Sequence, residues 1–141
     1  MAPPSRGAFL AFRLPPGADL IEGLRAARAE VDAGAMAVVT CVGSLTRAVL
    51  RHADRAEGTL HEGRFEIVSL VGTVDPAGQH LHLSMACGEG RVVGGHLLPG
   101  SRVYTTAEVV AVALPDLAFS REPCALSGHR ELVVRPAGAG G

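Results

Sequence analysis

No lysine and no tryptophan occur anywhere in the chain, and its 141 residues hold one tyrosine and four phenylalanines. With so few rings, the core has to be built from Val, Leu, Ile and Ala. Basic residues show no excess either: the 13 arginines stand against 14 Asp and Glu, a net charge of −1 with histidine neutral. Nucleic-acid binders draw most of their affinity from a basic stripe laid against phosphates, so this balance argues against that role. The longest basic feature, the loose set Arg47, Arg51, His52 and Arg55, reads as a solvated face. Cysteine is scarce, with Cys41, Cys87 and Cys124 widely spaced and no CxxC pattern. They are expected to be small buried hydrophobes in a reducing compartment. No apolar run reaches membrane-spanning length, and the opening Met-Ala-Pro-Pro-Ser-Arg-Gly lacks the apolar segment of a signal peptide. The expectation is a cytoplasmic protein with no membrane association.

What is present suits one packed domain. Apolar residues make up 48% of the chain and charged ones 19%, a balance that supports a single core and opposes disorder. Gly7 to Leu14 reads as a strand stopped by Pro15-Pro16-Gly17. Asp19 and Glu22 form a helix-start signal, and Leu20, Ile21, Leu24, Ala27 and Val31 give the helix its apolar face. Gly34 is placed to end it in a left-handed conformation. Strands are expected at Ala35 to Gly43, Ser44 to Arg51, Gly63 to Thr73, Gln79 to Cys87, Arg91 to Leu98, Ser101 to Leu114, Phe119 to Leu126 and Glu131 to Val134. His52 to His61 reads as a loop and Asp75 to Gly78 as a turn. One helix among many strands implies an α+β fold, a curved and mostly antiparallel sheet with the helix packed against it. Residues 1–5 are expected to be flexible, 6–135 to form the domain, and 136–141 to be a disordered tail.

The chemistry concentrates in His80-Leu81-His82-Leu83-Ser84-Met85. Strand side chains alternate faces, so His80, His82 and Ser84 share one side and the leucines turn to the core. Gly88-Glu89-Gly90 reads as a three-residue hairpin loop. If Cys87 then faces Arg91, stepping five residues away from the loop on each strand sets His82 directly opposite His96, with His80 a diagonal neighbour. A loop of another length, or a bulge at Gly94-Gly95, would turn His96 to the other side. Three neutral imidazoles with an open fourth position suit a divalent metal, zinc first, although other first-row ions also fit. The plain alternative is three separately satisfied histidines.

Glu66 and Glu108 each interrupt an apolar run, where a carboxylate needs a partner or water. They are candidates to orient a ligating histidine or to act as a general base, and otherwise are strand-edge carboxylates facing solvent or an arginine. Thr46, Arg47 and Arg51 are candidate anion contacts beside a metal, or else solvent-facing or interface residues. No dinucleotide or phosphate-loop glycine pattern occurs.

The segments GRFEIVSLVGT, QHLHLSMACGEGRVVGGHLLPG and VYTTAEVVAV closely resemble the PPC domain, also called DUF296, and the resemblance covers roughly residues 6–135. It implies an α+β fold that assembles as a homotrimer, with a metal carried by His80, His82 and His96. The segment from Gly63 to Ile67 is associated with protein partners in plant members, which points to Arg64, Phe65 and Glu66. The family often bears a DNA-binding label, but the AT-hook with its Arg-Gly-Arg core is absent from this sequence. Three functions follow in order: a metal-containing trimeric interaction or regulatory module; a metal-dependent enzyme, most plausibly hydrolytic, using a water on the histidine-held ion; and direct DNA binding.

Overall fold

The computed structural model describes residues 2–138. The order is β1 (Ala8–Leu14), α1 (Leu20–Glu30), β2 (Met36–Arg51), β3 (Thr59–Val74), β4 (Gln79–Cys87), β5 (Val92–Ala113), β6 (Leu117–Pro123) and β7 (Arg130–Pro136). The first five strands form one antiparallel sheet in the order β1-β5-β2-β3-β4, and β5 also pairs with β4, so the sheet closes on itself. The strands β6 and β7 form a separate antiparallel pair.

The expected breaks at glycine are bends within continuous strands. Ala35 to Gly43 and Ser44 to Arg51 merge into β2, and Arg91 to Leu98 and Ser101 to Leu114 merge into the 22-residue β5. At ~3.3 Å per residue a straight strand of that length would span roughly 70 Å. It bends instead, which lets one strand serve β1, β2 and β4. Part of the expected loop, Thr59 to His61, is already strand, pairing with β2. The predicted strand over Phe119 to Leu126 is shorter at its far end, stopping at Pro123 and leaving Leu126 fully exposed.

The helix starts as read. Asp19 accepts from the backbone N–H groups of Ile21 and Glu22, and from Gly100 N–H and the Ser101 hydroxyl, which ties the helix start to β5. Leu20, Ile21 and Leu24 are its buried face, while Val31 is exposed. The left-handed residue after the helix is Asp32 (φ +47°), not Gly34. Gly34 instead lies against the backbone of β6, its carbonyl accepting from Phe119 N–H.

Leu45, Leu50, Leu70, Leu81, Leu83 and Met85 fill the interior with the helix leucines. Each such side chain contributes about 2–3 kcal/mol by leaving water. Of the cysteines only Cys41 is buried, and burial pushes its thiol up to about 11. Cys87 and Cys124 are half-buried, contrary to expectation, because Cys87 ends β4 at a turn and Cys124 follows β6. Ser5 and Arg6 are tied to Asp116 by hydrogen bonds, and Ala137 N–H donates to Asp116 O. Of the expected tail, residues 139–141 lie outside the described residues. No helix is long and apolar enough to cross a membrane.

Candidate metal centre

The histidine cluster is a product of strand register. Cys87 N–H donates to Arg91 O at 2.9 Å, and Gly90 takes φ +79°, so the hairpin has the expected length. The ladder then runs Ala86–Val92, Met85–Val93, Ser84–Gly94, Leu83–Gly95 and His82–His96 with no bulge at Gly94-Gly95. Leu81, Leu83, Met85 and Leu97 point inward and are buried, which forces His80, His82 and His96 outward. On the other side, β3 closes on β4 at Gly72, where a Cβ would fall 1.9 Å from the His80 carbonyl oxygen. Only glycine lets β3 approach this near.

The three rings converge. Their ligating nitrogens all lie within 4.8 Å of one another, and ring centroids are 5.0 Å apart for His80–His82, 5.2 Å for His80–His96 and 5.8 Å for His82–His96. The Nε2 atoms of His80 and His82 are 3.2 Å apart. Two nitrogens bound tetrahedrally at ~2.0–2.1 Å would be separated by about 3.3 Å. The donor set therefore fits a first-row divalent ion with one position left open. Burial lowers the pKa of His80, helped by His82 and Arg121 and opposed by Glu131. Burial also lowers that of His96, helped by Arg51, His80 and His82. Both shifts favour the neutral imidazole, the form that ligates.

The cluster opens into a cleft of about 820 Å³ that His52 and His129 also line. His61 stands behind His52, with 3.1 Å between their Nε2 atoms, so all six histidines of the chain gather here. His52 Nδ1 lies 3.0 Å from the Gly94 carbonyl, which can only accept. Its proton is thus on Nδ1, and in the neutral pair His61 donates to His52 Nε2. An adjoining cavity of about 590 Å³ brings Arg121, His129, Arg130 and Glu131 from the β6–β7 hairpin to the side of His80. Arg121 is anchored by the buried Asp75 (3.2 Å) and by the Thr73 hydroxyl (2.8 Å), which fixes the hairpin against β3.

The other sequence candidates separate. Arg51 lies directly opposite His96 on β2 and lines both cavities. Thr46 and Arg47 do not line them; the Thr46 hydroxyl is 3.4 Å from Arg102 O, and Arg47 Nε is buried without a hydrogen-bond partner. Glu66 pairs with Ala86, four residues along β4 from His82, and Glu108 pairs with Arg13 and Val42 at the far half of β5. Both are exposed and neither lines the cleft. The carboxylate that accompanies His80 is Glu131, which sequence reasoning did not single out. Arg64 stacks over Tyr104, 4.8 Å from the ring centre, and Phe65 packs against the edge of the core opposite Cys87.

Residues 1–115 match the Plants and Prokaryotes Conserved (PCC) domain. The chain belongs to that family. Among curated relatives of this PCC chain is the bifunctional protein GlmU of Synechococcus sp. (strain JA-2-3B'a(2-13)), 41% identical over 134 residues. Those residues cover 95% of this chain and 21% of the relative, so the chain spans about a fifth of that protein. A solved structure of a hypothetical protein from Salmonella cholerae-suis matches with TM-score 0.93 at 41% identity, over 96% of this chain and 98% of that one. A metal-containing protein from Archaeoglobus fulgidus matches with TM-score 0.75 at 26% identity, over 89% of this chain and 93% of that one.

Proposed function

We propose that this PCC protein is a metal-containing interaction or regulatory module, with one divalent ion, zinc first, held by His80, His82 and His96 and presented to an open cleft. The observation that carries this reading is the convergence of three imidazole nitrogens within 4.8 Å on the solvent side of a rigid ladder. The metal-containing relative from Archaeoglobus fulgidus supports it. An ion there supplies a Lewis-acidic position for a ligand or partner group. The chain's own part is to hold three neutral rings in place and wall the cleft with cations. Residues 6–135 act as one unit in this reading, because the β6–β7 hairpin beyond the matched residues walls the same cleft. Assembly as a homotrimer in the cytoplasm completes the proposal.

The test is elemental analysis of purified wild type beside His82→Ala and His61→Ala. The expected result is one equivalent per chain in wild type and His61→Ala, and loss in His82→Ala. Equal metal in wild type and His82→Ala would remove the assignment.

A metal-dependent hydrolase is the second reading, favoured by Glu131 in the cavity beside His80. In this reading Glu131 takes a proton from a nucleophile in that cavity, so Glu131→Gln should abolish any turnover of p-nitrophenyl phosphate or acetate while metal content stays unchanged. Direct DNA binding ranks last: the cations sit in a concave cleft with Asp54 and Glu131 among them, not along a stripe.

A further inference from the structure

We infer that the cleft takes a small oxyanion, a carboxylate or phosphate group of a small molecule, seated between the metal's open position and the guanidinium of Arg51. The inference rests on the metal reading and names the ligand class of that site.

Four arginines line the two cavities: Arg51, Arg55, Arg121 and Arg130. Arg121 is neutralised by Asp75, which is fully buried. Arg130 is turned back onto the Arg121 carbonyl. Neither Arg51 nor Arg55 makes a side-chain hydrogen bond or ion pair with any of the described residues, but of the two only Arg51 lines both cavities. It projects from the position directly opposite His96, where Cβ atoms stand about 5 Å apart on the same face.

The local charge then has one sign. Three neutral imidazoles leave a divalent ion with its full charge. Asp54 and Glu131 are the carboxylates among the lining residues, and Arg55 and Arg130 offset them. Arg51 and an ion held by the three histidines would remain uncompensated in the same open cleft. A guanidinium fork matches the two oxygens of a carboxylate or phosphate, and a third oxygen or the second carboxylate reaches the ion. A neutral ligand would leave both charges facing each other unsatisfied. The cleft is far larger than a bare phosphate, which leaves room for the remainder of a metabolite-sized molecule.

The experiment uses the full chain loaded with Co²⁺, whose visible bands report a change at the ion's open position. Inorganic phosphate and malonate are titrated in separate arms, and duplex DNA at equal phosphate concentration in a third. The expected result is a saturable band change with phosphate or malonate. It should be weakened about tenfold or more in Arg51→Met and partly restored in Arg51→Lys, with cobalt content equal in all three proteins. Absence of cobalt bands in wild type would overturn the metal reading and this inference together. Cobalt bands that ignore both small anions, or respond with equal affinity in Arg51→Met, would overturn the inference alone. A response to DNA without one to the small anions would overturn the small-molecule assignment.

Discussion

His82 and His96 face each other directly across the β4–β5 ladder, and His80 completes the group from the next outward position on β4. If all three rings serve one ion, as proposed, their loss is not additive. His96→Ala and His82→Ala should each weaken zinc affinity by at least about 100-fold, beyond the 10–100-fold typical of losing an outer partner. The double variant should lose little more than either single. Competition against a chromogenic chelator measures this, and three equal, additive steps would mean that the rings do not share an ion.

The metal-free protein should lose stability on mild acidification. The pKa values of His61, His80 and His96 are all lowered from 6.5, mainly by burial, with His52, His82 and Arg51 respectively the nearest further contributors. Arg121 from β6 lowers that of His80 further and Glu131 from β7 opposes it. A folded pKa below the unfolded one means that the unfolded chain binds more protons, so stability rises with pH. The contribution is complete above about pH 6.5 and is lost as pH falls from there through the folded values. Melting of chelator-treated protein from about pH 8 to about pH 5 should show Tm falling across this window, and His96→Gln should flatten the slope. Asp116 acts elsewhere on the pH scale: Arg6 holds its carboxyl at about 2, so its contribution is lost only as pH falls below 3.8.

The histidine cluster was legible from sequence because period two and a three-residue hairpin together dictate a register. The inward leucines at 81, 83 and 97 leave no choice of face. The helix start was legible because Asp19 caps by local geometry. The strand ends were not, since Gly43 and Gly100 bend strands that pairing between β2 and β5 holds together, and no local pattern records that pairing. Glu66 and Glu108 drew attention by interrupting apolar runs, but the runs belong to strands with one wet face. Glu131 and Arg121 escaped notice because only the long-range docking of β6–β7 through Asp75 brings them to His80.

That docking point yields a third expected outcome. Asp75 is fully buried, accepts from Ala77 N–H at 3.0 Å and Gly78 N–H at 2.9 Å, and pairs with Arg121, itself 14% exposed. Asp75→Ala removes the turn acceptor and strands a largely buried guanidinium, at a cost of about 3–5 kcal/mol. Asp75→Asn retains an acceptor for the turn and should cost less. Urea denaturation gives both values, and proteolysis should nick the β6–β7 hairpin first in Asp75→Ala. Equal stability in all three proteins would show that the pair does not hold the hairpin.

The proposed trimer has a surface to bury. Val39, Val42, Val68 and Val71 are 51%, 57%, 56% and 50% exposed. All four lie on adjacent strands between the β2–β3 pairs Ala37–Thr73 and Ser44–Glu66, and Val71 is the direct partner of His82. Four half-exposed valines on neighbouring strands form an apolar patch that a monomer gains nothing by displaying. Covering it by a second copy also brings that copy to the rim of the metal cleft. Val68→Arg places a charge in the patch at an outward position, so the fold should tolerate it while assembly does not. Sedimentation of wild type should give a single trimeric species, and Val68→Arg should shift it to monomer with unchanged circular dichroism. If Val68→Arg sediments like wild type, this face is not where the copies meet. Loss of metal on dissociation would place the ion at the subunit contact, whereas full metal content in the monomer would place it within one chain.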